Sequence, residues 1–329
     1  MHRASRQALY NRCPGLLGLV LGLALALLLA CGASAAEPVP PALFIFSDPG
    51  SASHRSIVEQ IVSRFDGRRV GDQSLLVHAL DDQSIAETKL RPGDRTLVVT
   101  IGARAAGEVS RHPPDVPVLN VFLPLATHQY LQTTAGLRAA AVVLDQPLVR
   151  QLALARALLP GARSAAMLQS EEALITRPPL QAPREGAFGF ELATTLAQED
   201  AAPVDVIQEV LRSGDVVIAT FDPHVYTPVM AKWLLYMALQ QQRPIIGFSH
   251  ALLEAGALAS VFSTPEQIAE HAIELIENWL QQGQAPVGVA HPRYYHIGLN
   301  APVARQLGVA PANKTEVERK VRQLLEDER

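Results

Sequence analysis

Cysteine is nearly absent from this 329-residue chain: Cys13 and Cys31 are the only two, and both precede residue 36. The body therefore forms no internal disulfide and offers no thiolate to a metal. Its ten histidines show no His-x-His or HExxH spacing, so no metal is expected. Neither a P-loop nor a nucleotide-type GxGxxG occurs, and no cofactor is expected. Lysine is scarce, with 4 beside 24 arginines, and the formal net charge is −4. That balance gives no basic face for nucleic acid. Long apolar runs are missing too, except at the very start. Charged residues make up 18% and hydrophobic residues 48%, which suits a chain that buries real cores over two domains of ordinary size.

Acidic residues are absent from 1–36, where Arg3, Arg6 and Arg12 precede an apolar run from Gly15 to Ala30. Small residues follow it, from Cys31 to Ala36. This is the layout of an export signal, and the run falls short of the roughly 20 residues a span requires. Two processing routes fit. Ala33-Ser34-Ala35 matches the A-x-A rule of ordinary cleavage, whereas Leu28-Leu29-Ala30-Cys31 is lipobox-like, with Cys31 acylated as the mature N-terminus. Beyond residue 36 the body carries 25 basic and 32 acidic residues, a formal charge of −7.

After a short proline tether at 37–41, strand-like and helical patterns alternate. Strands are expected at Leu43–Phe46, Leu75–Val77, Thr96–Ile101, Pro117–Phe122, Ala139–Leu144, Ser164–Leu168, Asp215–Phe221, Pro244–Phe248 and Leu258–Phe262. Helices are expected over Ser53–Phe65, from Ala103, and from Asp145 as cap to about Leu159. Another runs through Trp233 to Leu239. A last one, from Thr264-Pro265-Glu266-Gln267 to Gln282, has a capping box and a closing Gly283. Prolines between Ser170 and Ala187 forbid a long helix there and point to a surface excursion. Continuous apolar strands separated by helices mean parallel sheets covered on both faces. The fold class is thus α/β, in two similar lobes.

Several fragments carry a resemblance: Leu144-Asp145-Gln146-Pro147 with the helix to Pro160-Gly161-Ala162-Arg163, Phe221-Asp222-Pro223-His224-Val225-Tyr226, Pro244 to Ser249, Ala255 to Ala259, and Asn300 to Gly308. In this order they resemble the substrate-binding proteins of ABC transporters, in the branch with tryptophan- and tyrosine-binding members. The resemblance implies a type I periplasmic binding fold: two doubly wound parallel-sheet lobes joined by a hinge. Lobe one would be 42–138 plus 252–286, and lobe two 139–251 plus 287–329. It also implies a monomer that clamps a small molecule, amino-acid-like by expectation, and delivers it to an ABC permease, touching the membrane only through the possible anchor at Cys31.

In open parallel sheets ligands bind beyond the carboxyl ends of strands. That rule selects Ser47, Asp48, Gly102 and Ala103 in one lobe and Gln169, Phe221, Asp222, Phe248 and Ser249 in the other. The alternative for each is turn chemistry or core packing. Asp48 or Asp222 would face an ammonium group, the amides near Ser47 and Gly102 a carboxylate, and a side chain at Gly102 would block the ligand without disturbing the fold. The helical pair Trp233 and Tyr236 reads as packing. Two other functions fit the same residues: a ligand-sensing or envelope lipoprotein of the same fold without a permease, and a serine hydrolase. The latter rests on Gly247-Phe248-Ser249-His250-Ala251, close to a G-x-S-x-G elbow, but no oxyanion motif accompanies it, and no catalysis is expected.

Overall fold

The computed structural model describes residues 40–88, 90, 95–171, 186–198, 201–310 and 313–328. The export segment with Cys31, and most of the proline-rich excursion, lie outside the described residues. In chain order the first half holds β1 (Ala42–Ser47), α1 (Ala52–Phe65), a small hairpin of β2 (Arg69–Val70) and β3 (Gln73–Ser74), β4 (Leu76–Asp81) and β5 (Thr96–Ile101). Next come α2 (Gly102–Arg111), β6 (Val118–Leu123), α3 (Leu125–Thr134), β7 (Ala139–Val143), α4 (Leu148–Leu158) and β8 (Ser164–Gln169). The second half adds β9 (Glu191–Leu196), α5 (Pro203–Arg212), β10 (Val216–Ile218), α6 (Pro228–Gln240), β11 (Ile245–Gly247), α7 (His250–Ala255) and β12 (Ala259–Phe262). It ends with α8 (Pro265–Gln282), β13 (Val289–Ala290), β14 (His296–Leu299), α9 (Ala301–Gln306) and α10 (Lys314–Asp327).

Two six-stranded sheets result. The first runs β4-β1-β5-β6-β7-β13, every neighbouring pair parallel. The second runs β9-β8-β10-β11-β12-β14, parallel except for the last pair. Leaving out the sixth strand, both have the same spatial order, with the second main strand outside the first and three more on its other side. That is the doubly wound arrangement in which the crevice lies beyond the carboxyl ends of the strands.

Strand residues from Leu97 to Ile101 and from Val216 to Ile218 are fully buried, because helices cover both sides of each sheet. On one face of the first sheet Ile57, Ile61 and Phe65 of α1 pack with Ile273, Ile276 and Trp279 of α8. On the other, Ala105 and Val109 of α2 meet Phe46 and Val98. In the second sheet α4 and α10 cover one face, through Leu152 and Val321, while α5 and α6 cover the other, through Ile207 and Leu234.

Three strands fall in different lobes from those expected. The stretch 139–143 hydrogen-bonds to β6 and belongs to the first sheet, 289–290 pairs with β7 in that same sheet, and 259–262 joins β11 in the second. The chain therefore changes lobe three times, near 144–147, 263–264 and 291–295. Apolar character marks a strand as buried but carries no address for its sheet. Asp145 also departs from expectation. Helix α4 begins on Pro147 with no side-chain cap, and the Asp145 carboxylate instead accepts from the Leu125 amide (2.7 Å), the first residue of α3. The capping box at Thr264 and Gln267 is present as read.

Candidate functional site

A cleft of about 1000 Å³ opens where the lobes meet. The first lobe contributes Ser53 of α1, Phe122 of β6, Leu144 and the segment 264–266. Phe221, Phe248, Ser249, His250, Leu253, Phe262, Gly298 and Lys314 come from the second. Aromatic rings make much of its wall. Phe221 and Phe248 meet edge to face at 5.4 Å, with Tyr226 behind Phe248 at 5.7 Å. Phe262 lies between the rings of His250 (5.3 Å) and His296 (6.0 Å). An apolar wall with a few hydroxyls and charges at its margin is the ordinary make-up of a small-molecule site.

Phe122 reaches the cleft from a strained backbone. Its φ is +60°, and the register of β6 against β7 shifts between Val121 and Leu123. Such bulges re-aim a side chain at the end of a strand, and a left-handed Phe persists only where its surroundings hold it. The His54 ring stands edge-on to Phe122 at 5.6 Å. His54 in turn sits where a side chain on residue 102 would be: a Cβ on Gly102 would come within 2.5 Å of its Cε1. Gly102 has φ +88°, and no side chain caps the helix it opens. Close approach and backbone twist thus both require glycine. This overturns the expectation that a substitution at Gly102 would spare the fold.

Of the nine residues selected from sequence, Phe221, Phe248 and Ser249 line the cleft and the other six do not. Ser47 ends β1 between Asp81 and Ile101, nearly buried. Asp48 accepts from the Gly50 amide (2.8 Å) and pairs with Arg104 (3.4 Å). Ala103 is exposed in the first turn of α2, and Gln169 is buried at the end of β8, where its carbonyl accepts from Ala197. Asp222 is 2% exposed. One of its oxygens accepts from the amide and hydroxyl of Ser170 (2.8 and 2.9 Å), the other from the His224 amide (3.1 Å). That carboxylate braces the end of β8, which leaves it poorly placed to meet an ammonium group. Ser249 Oγ accepts from the Leu252 amide (3.1 Å) and so caps α7. Trp233 and Tyr236 are 51% and 58% exposed on α6, so they are surface rather than core residues.

Sequence reasoning missed Phe122, Phe262, His250, Gly298 and Lys314. Gly298 belongs to an antiparallel edge strand too short to show a period, and Leu253 fills the space its missing side chain leaves. Only the strained φ distinguishes Phe122, and no residue pattern encodes it.

No family model matches this chain, and no curated protein does either. Solved structures do. An ABC domain in complex with L-Trp from Streptococcus pneumonia is 16% identical, covering 85% of this chain and 98% of its own, with a TM-score of 0.55. A ligand-free, open substrate-binding protein with adhesive properties from Clostridium difficile is 14% identical, covers 84% and 97%, and reaches 0.61. A conserved domain protein from Vibrio cholerae is 16% identical over 85% and 98%, at 0.54. Together with the two doubly wound sheets and three crossings, these likenesses establish that the chain has the type I periplasmic binding fold.

Proposed function

We propose that this chain is an extracytoplasmic solute-binding protein that closes two lobes on a small molecule and delivers it to an ABC permease without changing it chemically. The observation that carries this reading is the aromatic-walled cleft between two sheets of like topology, beyond the ends of their strands. Ligand contacts to both lobes favour the closed form, and a ligand shifts the equilibrium only by its differential affinity for that form. The phenylalanines suit a ring or other flat apolar group. The first turn of α2 is not assigned to a carboxylate of the ligand, because Gly102 and Ala103 do not line the cleft. Neither Asp48 nor Asp222 lines the cleft: Asp48 pairs with Arg104, and Asp222 is enclosed by its donors. The leader supports export, with Cys31 as the anchoring residue and a monomeric body.

A thermal-shift screen of the chain beyond residue 36 tests this. L-tryptophan, L-tyrosine, L-phenylalanine, neutral sugars and short peptides are compared. An upward shift with at least one aromatic solute, weakened by Phe248→Ala, is expected. A panel without any shift, or one answered by sugars alone, would overturn the aromatic assignment.

A further inference from the structure

The three segments that join the lobes are tied to one another by side chains. Arg150, in the first turn of α4, donates from Nη1 to Gln146 Oε1 (2.9 Å) and to the Pro292 carbonyl (2.8 Å). Gln146 Nε2 donates to Ser263 Oγ (2.9 Å), and Ser263 Oγ donates to the Tyr294 carbonyl (2.6 Å). Gln146 belongs to the first hinge segment, Ser263 to the second, and Pro292 and Tyr294 to the third. The bonds close a ring: Arg150 to Gln146 to Ser263 to residue 294, back along the chain to 292, and so to Arg150.

Three further contacts hold the third segment to the start of the first hinge segment and to α8 of the first lobe. The His291 ring meets the Asp145 carbonyl (2.7 Å), Arg293 pairs with Glu274 of α8 (2.6 Å), and the Arg293 amide donates to His271 Nδ1 (3.3 Å). Nothing in the ring is a carboxylate. The Arg150 guanidinium is half-buried, lies 4.2 Å above the Tyr295 ring and donates to two neutral oxygens, of Gln146 and Pro292. Burial pulls its pKa down from the ordinary arginine value. A cation held this way adds little stability compared with an apolar side chain of the same volume. Its planar fork and stacking face instead fix geometry, which a lysine would not do.

We propose that Arg150 is a positioning residue that sets the angle between the lobes. With Gln146 and Ser263 it couples the three hinge segments, so that their backbone torsions change together and the lobes swing as bodies about one axis. A ligand would then feel Arg150 through the population of the closing geometry, without touching it. The idea rests on the reading of this chain as a two-lobed clamp, but its test needs no ligand, so the two can fail separately.

The chain beyond residue 36 has no cysteine. Glu59→Cys on α1 and Gln240→Cys on α6 therefore place one spin label on each lobe, and pulsed electron spin resonance reads the distance between them in the ligand-free protein. The parent should give one narrow distribution. Ser263→Ala and Arg150→Met should each broaden it while thermal unfolding stays cooperative. The double variant should be no broader than the wider single one, because both changes open the same ring. Unchanged widths in both single variants would overturn the proposal, as would broadening that adds in the double variant. If Arg150→Met does not fold, Gln146→Leu with Ser263→Ala carries the same comparison.

Discussion

Single residues here are held by environments that sequence spacing does not reveal, and their titration exposes it. His128 of α3 is fully buried. Its Nδ1 lies 3.1 Å from Asn120 Nδ2, while Asn120 Oδ1 accepts from Thr100 Oγ1 (2.7 Å). The amide therefore donates to Nδ1, which fixes the neutral ring with its proton on Nε2, and burial lowers the pKa to about 4. An unfolded histidine titrates near 6.5, so between those values the unfolded chain binds the extra proton. Stability should fall as pH drops from about 6.5 to about 4 and level off below, by on the order of 3 kcal/mol from this residue. His271 and His291, also lowered by burial, act in the same direction. Urea midpoints across that range should decline in the parent and decline less in His128→Gln. A parent with a flat profile would mean that the ring is not held neutral. Gly102 gives a second prediction. Gly102→Ala should cost on the order of 1–3 kcal/mol, from its left-handed backbone and the His54 ring together. Adding His54→Ala should recover the steric part, as equilibrium unfolding of the four proteins would show. Equal stability of Gly102→Ala and the parent would remove both causes.

Elements were legible where their period was long. The capping box of α8 with its closing Gly283, the apolar face of α1, and the fully buried β5 follow from local chemistry that acts before any tertiary contact. Others were not: β9, β13 and β14 are short or half-exposed, and α10 carries only Val317 and Val321 as buried contacts. Asp145 shows why a cap reading fails. The residue type was suited to capping, but the amide it meets is 20 positions back in the chain and belongs to α3. At the site, the strand-end rule found Phe221, Phe248 and Ser249 because that rule concerns topology. The bulged Phe122 and the edge-strand Gly298 depend on local distortions, about which it says nothing. Gln151 is a comparable case inside the second lobe: buried, it donates to the carbonyls of Ala219 and Gly247 and so ties the ends of β10 and β11 together. Helix α7 supplies the prediction at this scale. Ser249→Ala removes the bond to Leu252 and should cost about 1 kcal/mol, and on the proposed binding function the parent and the variant should be equally inactive towards esters. Specific labelling of Ser249 by a serine-directed phosphonate would overturn that.

Across the whole molecule, the three crossings make each lobe depend on sequence from both halves of the chain. Sheet one is read from 42–143, yet its core includes Ile268, Ile273, Ile276 and Trp279 of α8, and its edge strand β13 arrives only at residue 289. Sheet two needs β12 and β14, and α10 covers Leu152 and Leu154 of α4. A chain ending at residue 263 would keep most strands of both sheets. It would nevertheless expose the α1 face of the first core and the α4 face of the second. Each buried Ile or Trp lost from a core costs about 2–5 kcal/mol, so the loss of the four named α8 side chains alone is as large as the whole stability of an ordinary domain, about 5–15 kcal/mol. Residues 40–263 should therefore show helical circular dichroism without a cooperative thermal transition, and their amides should exchange rapidly. Supplying residues 264–329 as a second chain should restore protection in both lobes at once, because α8 and α10 lie on the same segment. A truncated chain in which one lobe melts cooperatively by itself would show instead that the lobes are independent folding units, and that the crossings matter only for closure.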